Sequence, residues 1–118
     1  MRLDSFFEDV AAQSISELDR GSENAESRAH WIVIRDSLGV ERSRVSGKEG
    51  EIDVGEVLAS HLANGCDAAA FVVHVSGDSE YLMAQALIAD PREFDVRRAE
   101  VYRGDAGIRL GPWRHVIN

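Results

Sequence analysis

Residues 68–73 read Ala-Ala-Ala-Phe-Val-Val, an apolar run with no polar interruption. It is far shorter than the roughly 20 residues a membrane span requires. A strand that is apolar at every position, rather than at alternate ones, must be covered on both faces. The run therefore predicts a buried central strand, and the rest of the chain must supply its covers.

Periodicity and punctuation place those covers. Leu3, Phe6, Phe7, Val10, Ile15 and Leu18 recur at helical spacing. Ser5-Phe-Phe-Glu8 has the form of a capping box, and Gly21 is the expected stop. Residues 22–28 are polar and read as a loop or a frayed extension. Trp31-Ile-Val-Ile34 favours a strand, Asp36-Ser-Leu-Gly39 a turn, and Val40 to Val45 a returning strand. Ser46 to Glu51 reads as a connection. Asp53 is the expected N-cap of a second helix, with Glu56 three residues on and Asn64-Gly65 as its stop.

After the apolar strand, Ser76-Gly-Asp78 is expected to open a third helix carrying Leu82, Met83, Ala86 and Leu87, ended by Asp90-Pro91. Phe94 to Tyr102 and Ile108 to Ile117 read as strands joined by a turn at Arg103-Gly-Asp-Ala-Gly107. Pro112 marks a bend or an edge in the last of them. The expectation is one α/β domain over residues 1–118. It has a mixed sheet of about five strands and three helices, in the order α-β-β-α-β-α-β-β.

Composition narrows the setting. With 21 acidic against 13 basic residues the net charge is -8. Such a surface repels phosphate backbones and argues against generic nucleic-acid binding. Arg97, Arg98, Arg103, Arg109 and Arg114 concentrate positive charge near the C-terminus, and ordinary solvated strand positions are the simplest account of them. Cys66 is the single cysteine, which rules out an intrachain disulfide and a cysteine-rich zinc site. Asp67 beside it disfavours an activated thiol. Asp4, Glu8 and Asp9 break up the start of the chain, so no signal-peptide pattern forms and a cytoplasmic protein is expected, without membrane association.

Candidate chemistry gathers at Phe71-Val-Val-His-Val-Ser-Gly-Asp78. His74 ends the apolar strand, and ligands of α/β folds collect at such ends. Ser76 and Asp78 follow, with helix capping as their simplest role. His61 reads as a packed residue of the second helix. His30 and His115 read as strand-end polarity. No histidine pair has i, i+4 spacing.

Taken as a block, Ala29 to Gly104 resembles the RadC-like branch of the JAB/MPN metalloprotease fold. The resemblance is carried by Trp31-Ile-Val-Ile-Arg-Asp36, Val54-Gly-Glu-Val-Leu58, Ala68-Ala-Ala-Phe-Val-Val-His74 and Ser76-Gly-Asp78. It implies zinc held by His74 and Asp78, with Glu41 near the position of the glutamate that works on the bound water. Val72 stands where the family has its first histidine, and Val75 where it has proline. Two ligands are fewer than the three a catalytic zinc requires. The expectation is a metal-less, non-catalytic version without a cofactor. It would act through a protein partner or by self-association, using edge strands and the two tryptophans. Two alternatives accompany it: a small hydrolase built on His74, Ser76, Asp78 and Glu41, and an acidic inhibitor that mimics DNA charge.

Overall fold

The computed structural model describes residues 2–21, 28–45 and 52–116. Along the chain run α1 (Leu3–Gly21), β1 (Arg28–Asp36), β2 (Gly39–Arg44), α2 (Val54–Ala63), β3 (Ala68–Val75) and β4 (Tyr81–Ile88). They are followed by β5 (Glu93–Gly104), β6 (Gly107–Leu110) and β7 (Arg114–His115). One sheet has the order β2-β1-β3-β4-β5-β6, with β7 also on β5. Every neighbouring pair is antiparallel.

Three expectations need correction. The sheet is antiparallel rather than mixed. It has seven strands rather than about five, because β4 is a strand and the last segment splits in two. The described residues hold two helices, and the expected third is β4. Leu82, Met83, Ala86 and Leu87 do fall at helical spacing, and Leu, Met, Ala and Gln are good helix formers. The same segment also alternates: Leu82, Ala84, Ala86 and Ile88 are all fully buried on one face. Pairing with β3 on one side and β5 on the other decides between the two patterns. Of the polar loop expected at 22–28, Arg28 instead opens β1, and residues 22–27 lie outside the described residues, as do the expected connection at 46–51 and Ile117.

The apolar run is where it was expected. β3 lies between β1 and β4, and Ala68 to Val73 are buried without exception. Its two faces feed two cores. Ala68, Ala70 and Val72 join Trp31, Val33 and Leu82 beneath α1, with Phe6, Phe7 and Val10 from the helix. Ala69, Phe71 and Val73 join Leu58 of α2. Each large side chain fully buried here contributes about 2 kcal/mol.

α1 begins at Leu3, so Ser5 sits inside the helix rather than capping it. Polar pegs hold it to the sheet. Arg35 donates to Asp9 at 2.8 Å, Arg42 pairs with Glu17 at 2.6 Å, and Arg97 pairs with Asp4 at 2.7 Å. The Trp31 indole donates to buried Ser14 at 3.1 Å, and the Trp113 indole to the Phe7 carbonyl at 3.0 Å. Trp31 is thus fully buried in the fold, while Trp113 is half-buried. α2 starts as its sequence signals: the Asp53 carboxylate accepts the Glu56 amide at 3.1 Å. Gly65, at φ +101°, supplies the left-handed turn after it.

Gly111 to Trp113 separates β6 from β7 at the sheet margin, consistent with a proline that cannot donate to a ladder. No helix among the described residues is long and apolar enough to cross a membrane.

Candidate functional site

His74 is the next-to-last residue of β3, opposite Ala29 and Leu82. Strand alternation aims it to the α1 face, at the far end from α2's C-terminus. The β3–β4 connection is a hairpin turn rather than a helix start, so no helix N-terminus exists there to hold an anion. Ser76 is half-buried, and Asp78 is exposed in the turn. With no helix to cap, their expected capping role disappears.

The partner of His74 is a residue that carried no candidate role. Its Nε2 lies 2.7 Å from a carboxylate oxygen of Glu80. A carboxylate offers only lone pairs, so Nε2 carries the proton and donates. Arg103 closes the other side of the same carboxylate, with Nε on one oxygen and Nη2 on the other, both at 2.8 Å. The Arg103 hydrogen bonds, aided by His74 and against the cost of partial burial, hold Glu80 below the usual carboxylate range. Glu80 in turn raises Arg103. Glu80 was invisible as a partner because the contact needs a hairpin at 76–80 and β5 beside β4. Reading 81–88 as a strand would have revealed it, since the hairpin brings 74 and 80 together.

Glu41 lies elsewhere. It pairs with Ile34 on β2, and Ile34 pairs with Ala69 on β3. Ile34 and Ala69 pack in the α2 core, whereas Val72 and Leu82 beside His74 pack in the α1 core. Glu41 and His74 therefore project from opposite faces. The five residues from Ala69 to His74 add about 17 Å along the strand. The pocket that the hydrolase reading needs is not assembled. Glu41 instead adds to the carboxylates around Cys66, where burial first, then Asp36, Asp67 and Glu41 push the thiol up. That thiol is no activated nucleophile.

The donor set does not suit zinc. Val72, at the first-histidine position, is fully buried among apolar side chains. His74 Nε2 is turned to Glu80, and no group of three His, Cys, Asp or Glu among the described residues could hold a metal ion.

A different surface collects exposed aromatic and arginine side chains. α2 packs on β3 and β4. Beyond it, among the described residues, no helix covers the β5–β6 half of that face. Tyr81, Met83, Arg98 and Tyr102 project from this half, as their pairing with α2-side positions requires. Phe94 and Tyr102 are 53% and 48% exposed, high values for aromatic side chains in a sheet. Arg98 lies over the Tyr81 ring at 3.7 Å, and Arg109 over the Tyr102 ring at 5.5 Å. Between them is a cleft of about 500 Å³ lined by Met83, Arg98, Glu100, Tyr102, Pro112, Arg114, His115 and Val116. The chain matches no protein-family model, no curated protein and no solved structure.

Proposed function

We propose that this chain is a non-catalytic protein-interaction domain of the cytoplasm, related to JAB/MPN domains that have lost their metal. The observation that carries it is the open β5–β6 half-face. Tyr102 stands exposed there beside arginines and a cleft, and Phe94 is exposed on the same face farther along β5, the composition of a contact surface rather than of plain solvated strands. His74, by contrast, is bound to Glu80 and separated from Glu41 by the sheet. Support for the kinship is the order of elements through β3: a helix, a strand ending in Asp36, a hairpin, an Asp53-capped helix and an alanine-rich strand. A cytoplasmic setting agrees with the single, reduced Cys66.

Site-directed photo-crosslinking tests this reading in the cells that make the protein. A crosslinking amino acid at Tyr102 is expected to capture a protein. The same group at Glu8, exposed on the outer side of α1, is expected to capture none. Equal yields at both positions, or an adduct with nucleic acid at Tyr102, would refute it.

A further inference from the structure

We infer that the open half-face docks a carboxylate-rich segment of a partner protein; the inference rests on the interaction reading above and gives that partner its chemistry. Residues 92–118 carry six arginines against four carboxylates, whereas residues 1–91 carry seventeen carboxylates against seven basic residues. The fold sorts this charge further. Arg97 turns to α1 and is held by Asp4 and Asp95. Arg103 turns to Glu80. Arg98, Arg109 and Arg114 remain on the open face.

Their environment fits an anionic peptide. Arg98 shares one carboxylate, Glu100, at 2.9 Å. Among the described residues no carboxylate lies within ion-pair distance of Arg109 or Arg114. Register sets Arg114 of β7 opposite Arg98 of β5, with Met83 of β4 on the other side of Arg98. A side chain entering the cleft thus meets apolar Met83, Pro112 and Val116 and two guanidiniums, of which Arg98 is offset by Glu100 and Arg114 is not. Stacking on Tyr81 and Tyr102 steadies the Arg98 and Arg109 planes, and the Arg98 Nε also donates to Glu100, which lowers the ordering cost of binding.

The same features favour a protein over nucleic acid. Three guanidiniums neutralise few phosphates, and the acidic remainder of the chain repels a polyanion that runs past the patch. A short acidic segment with an aromatic or aliphatic side chain stays within it.

Fluorescence anisotropy tests the assignment with three labelled probes on the whole chain: a short peptide alternating glutamate and tyrosine, its lysine–tyrosine counterpart, and a short oligothymidylate. The glutamate peptide is expected to bind, to weaken with added salt, and to lose about tenfold or more in the double variant R109E/R114E. Both positions are exposed, so the variant is expected to retain the wild-type circular dichroism and melting curve. Preference for the lysine peptide at this face would overturn the acidic partner while leaving the interaction reading standing. Tighter binding of oligothymidylate, no binding of the glutamate peptide, or binding unchanged in R109E/R114E would each overturn the inference. If R109E/R114E fails to fold, R114A gives the same readout with a smaller expected loss.

Discussion

Glu80 holds His74 and Arg103 at once: its carboxylate accepts from the histidine at 2.7 Å and from two guanidinium nitrogens at 2.8 Å. This bridge ties the β3–β4 turn to the far end of β5. It also makes the end of β3 a structural junction, with its one histidine already committed.

The bridge has a pH signature. Because Glu80 titrates lower in the folded chain than in the unfolded one, its contribution is fully present above the ordinary glutamate range. It is lost as pH falls through the depressed value. Replacing Glu80→Gln should cost about 1 kcal/mol at neutral pH, since Arg103 is partly exposed. It should cost nothing once the wild-type carboxylate is protonated. Urea unfolding followed by tryptophan fluorescence at both pH values checks this, and a cost independent of pH would contradict it.

Arg97 and Arg114 are neighbours in space with opposite expected sensitivities. Arg97 is 11% exposed, bonded to Asp4 and Asp95, and 4.3 Å from the Phe7 ring centroid. Arg97→Ala should lower stability by about 1–2 kcal/mol, because it removes the guanidinium that bridges Asp4 and Asp95 and packs on Phe7, leaving Asp95 to His115 and the Val96 amide. Arg114→Ala should change stability by less than about 0.5 kcal/mol. Thermal melts of the two variants compare them directly.

Ala84 distinguishes a strand at 81–88 from a helix. On β4 it is fully buried beneath α1. On the helical spacing of Leu82, Met83, Ala86 and Leu87 it would fall beside the apolar stripe and tolerate a charge. Ala84→Asp should therefore prevent folding or cost more than about 3 kcal/mol. A variant as stable as the parent would exclude the strand.

Much of the fold was legible where local chemistry acts alone. The Asp53 cap, the Gly65 stop and the doubly buried run at Ala68–Val73 each need only neighbouring residues. β4 was not legible, because its alanines and leucines satisfy a helical period and an alternating one, and only strands distant in sequence decide between them. The candidate site failed for a related reason. Whether Glu41 and His74 share a face depends on the parity of register across β1, which no motif records. Glu80 stood next to the candidates, but its partner Arg103 lies 23 residues away. The arginines looked alike in sequence. Strand alternation sends Arg97 and Arg103 to one face and Arg98 to the other.

A metal measurement bears on the His74 region. Protein purified without chelators is expected to hold no stoichiometric zinc by mass spectrometry, and His74→Ala is expected to leave metal content unchanged. Stoichiometric zinc that disappears in His74→Ala would restore the metalloprotease reading.

The most direct test of the account compares two surface variants by affinity capture with quantitative proteomics from the cells that make the protein. Tyr102→Glu places a charge on the open half-face, and Glu8→Arg alters the outer side of α1. The account predicts that proteins recovered with the parent are lost with Tyr102→Glu and kept with Glu8→Arg. The same set recovered with both variants would contradict it.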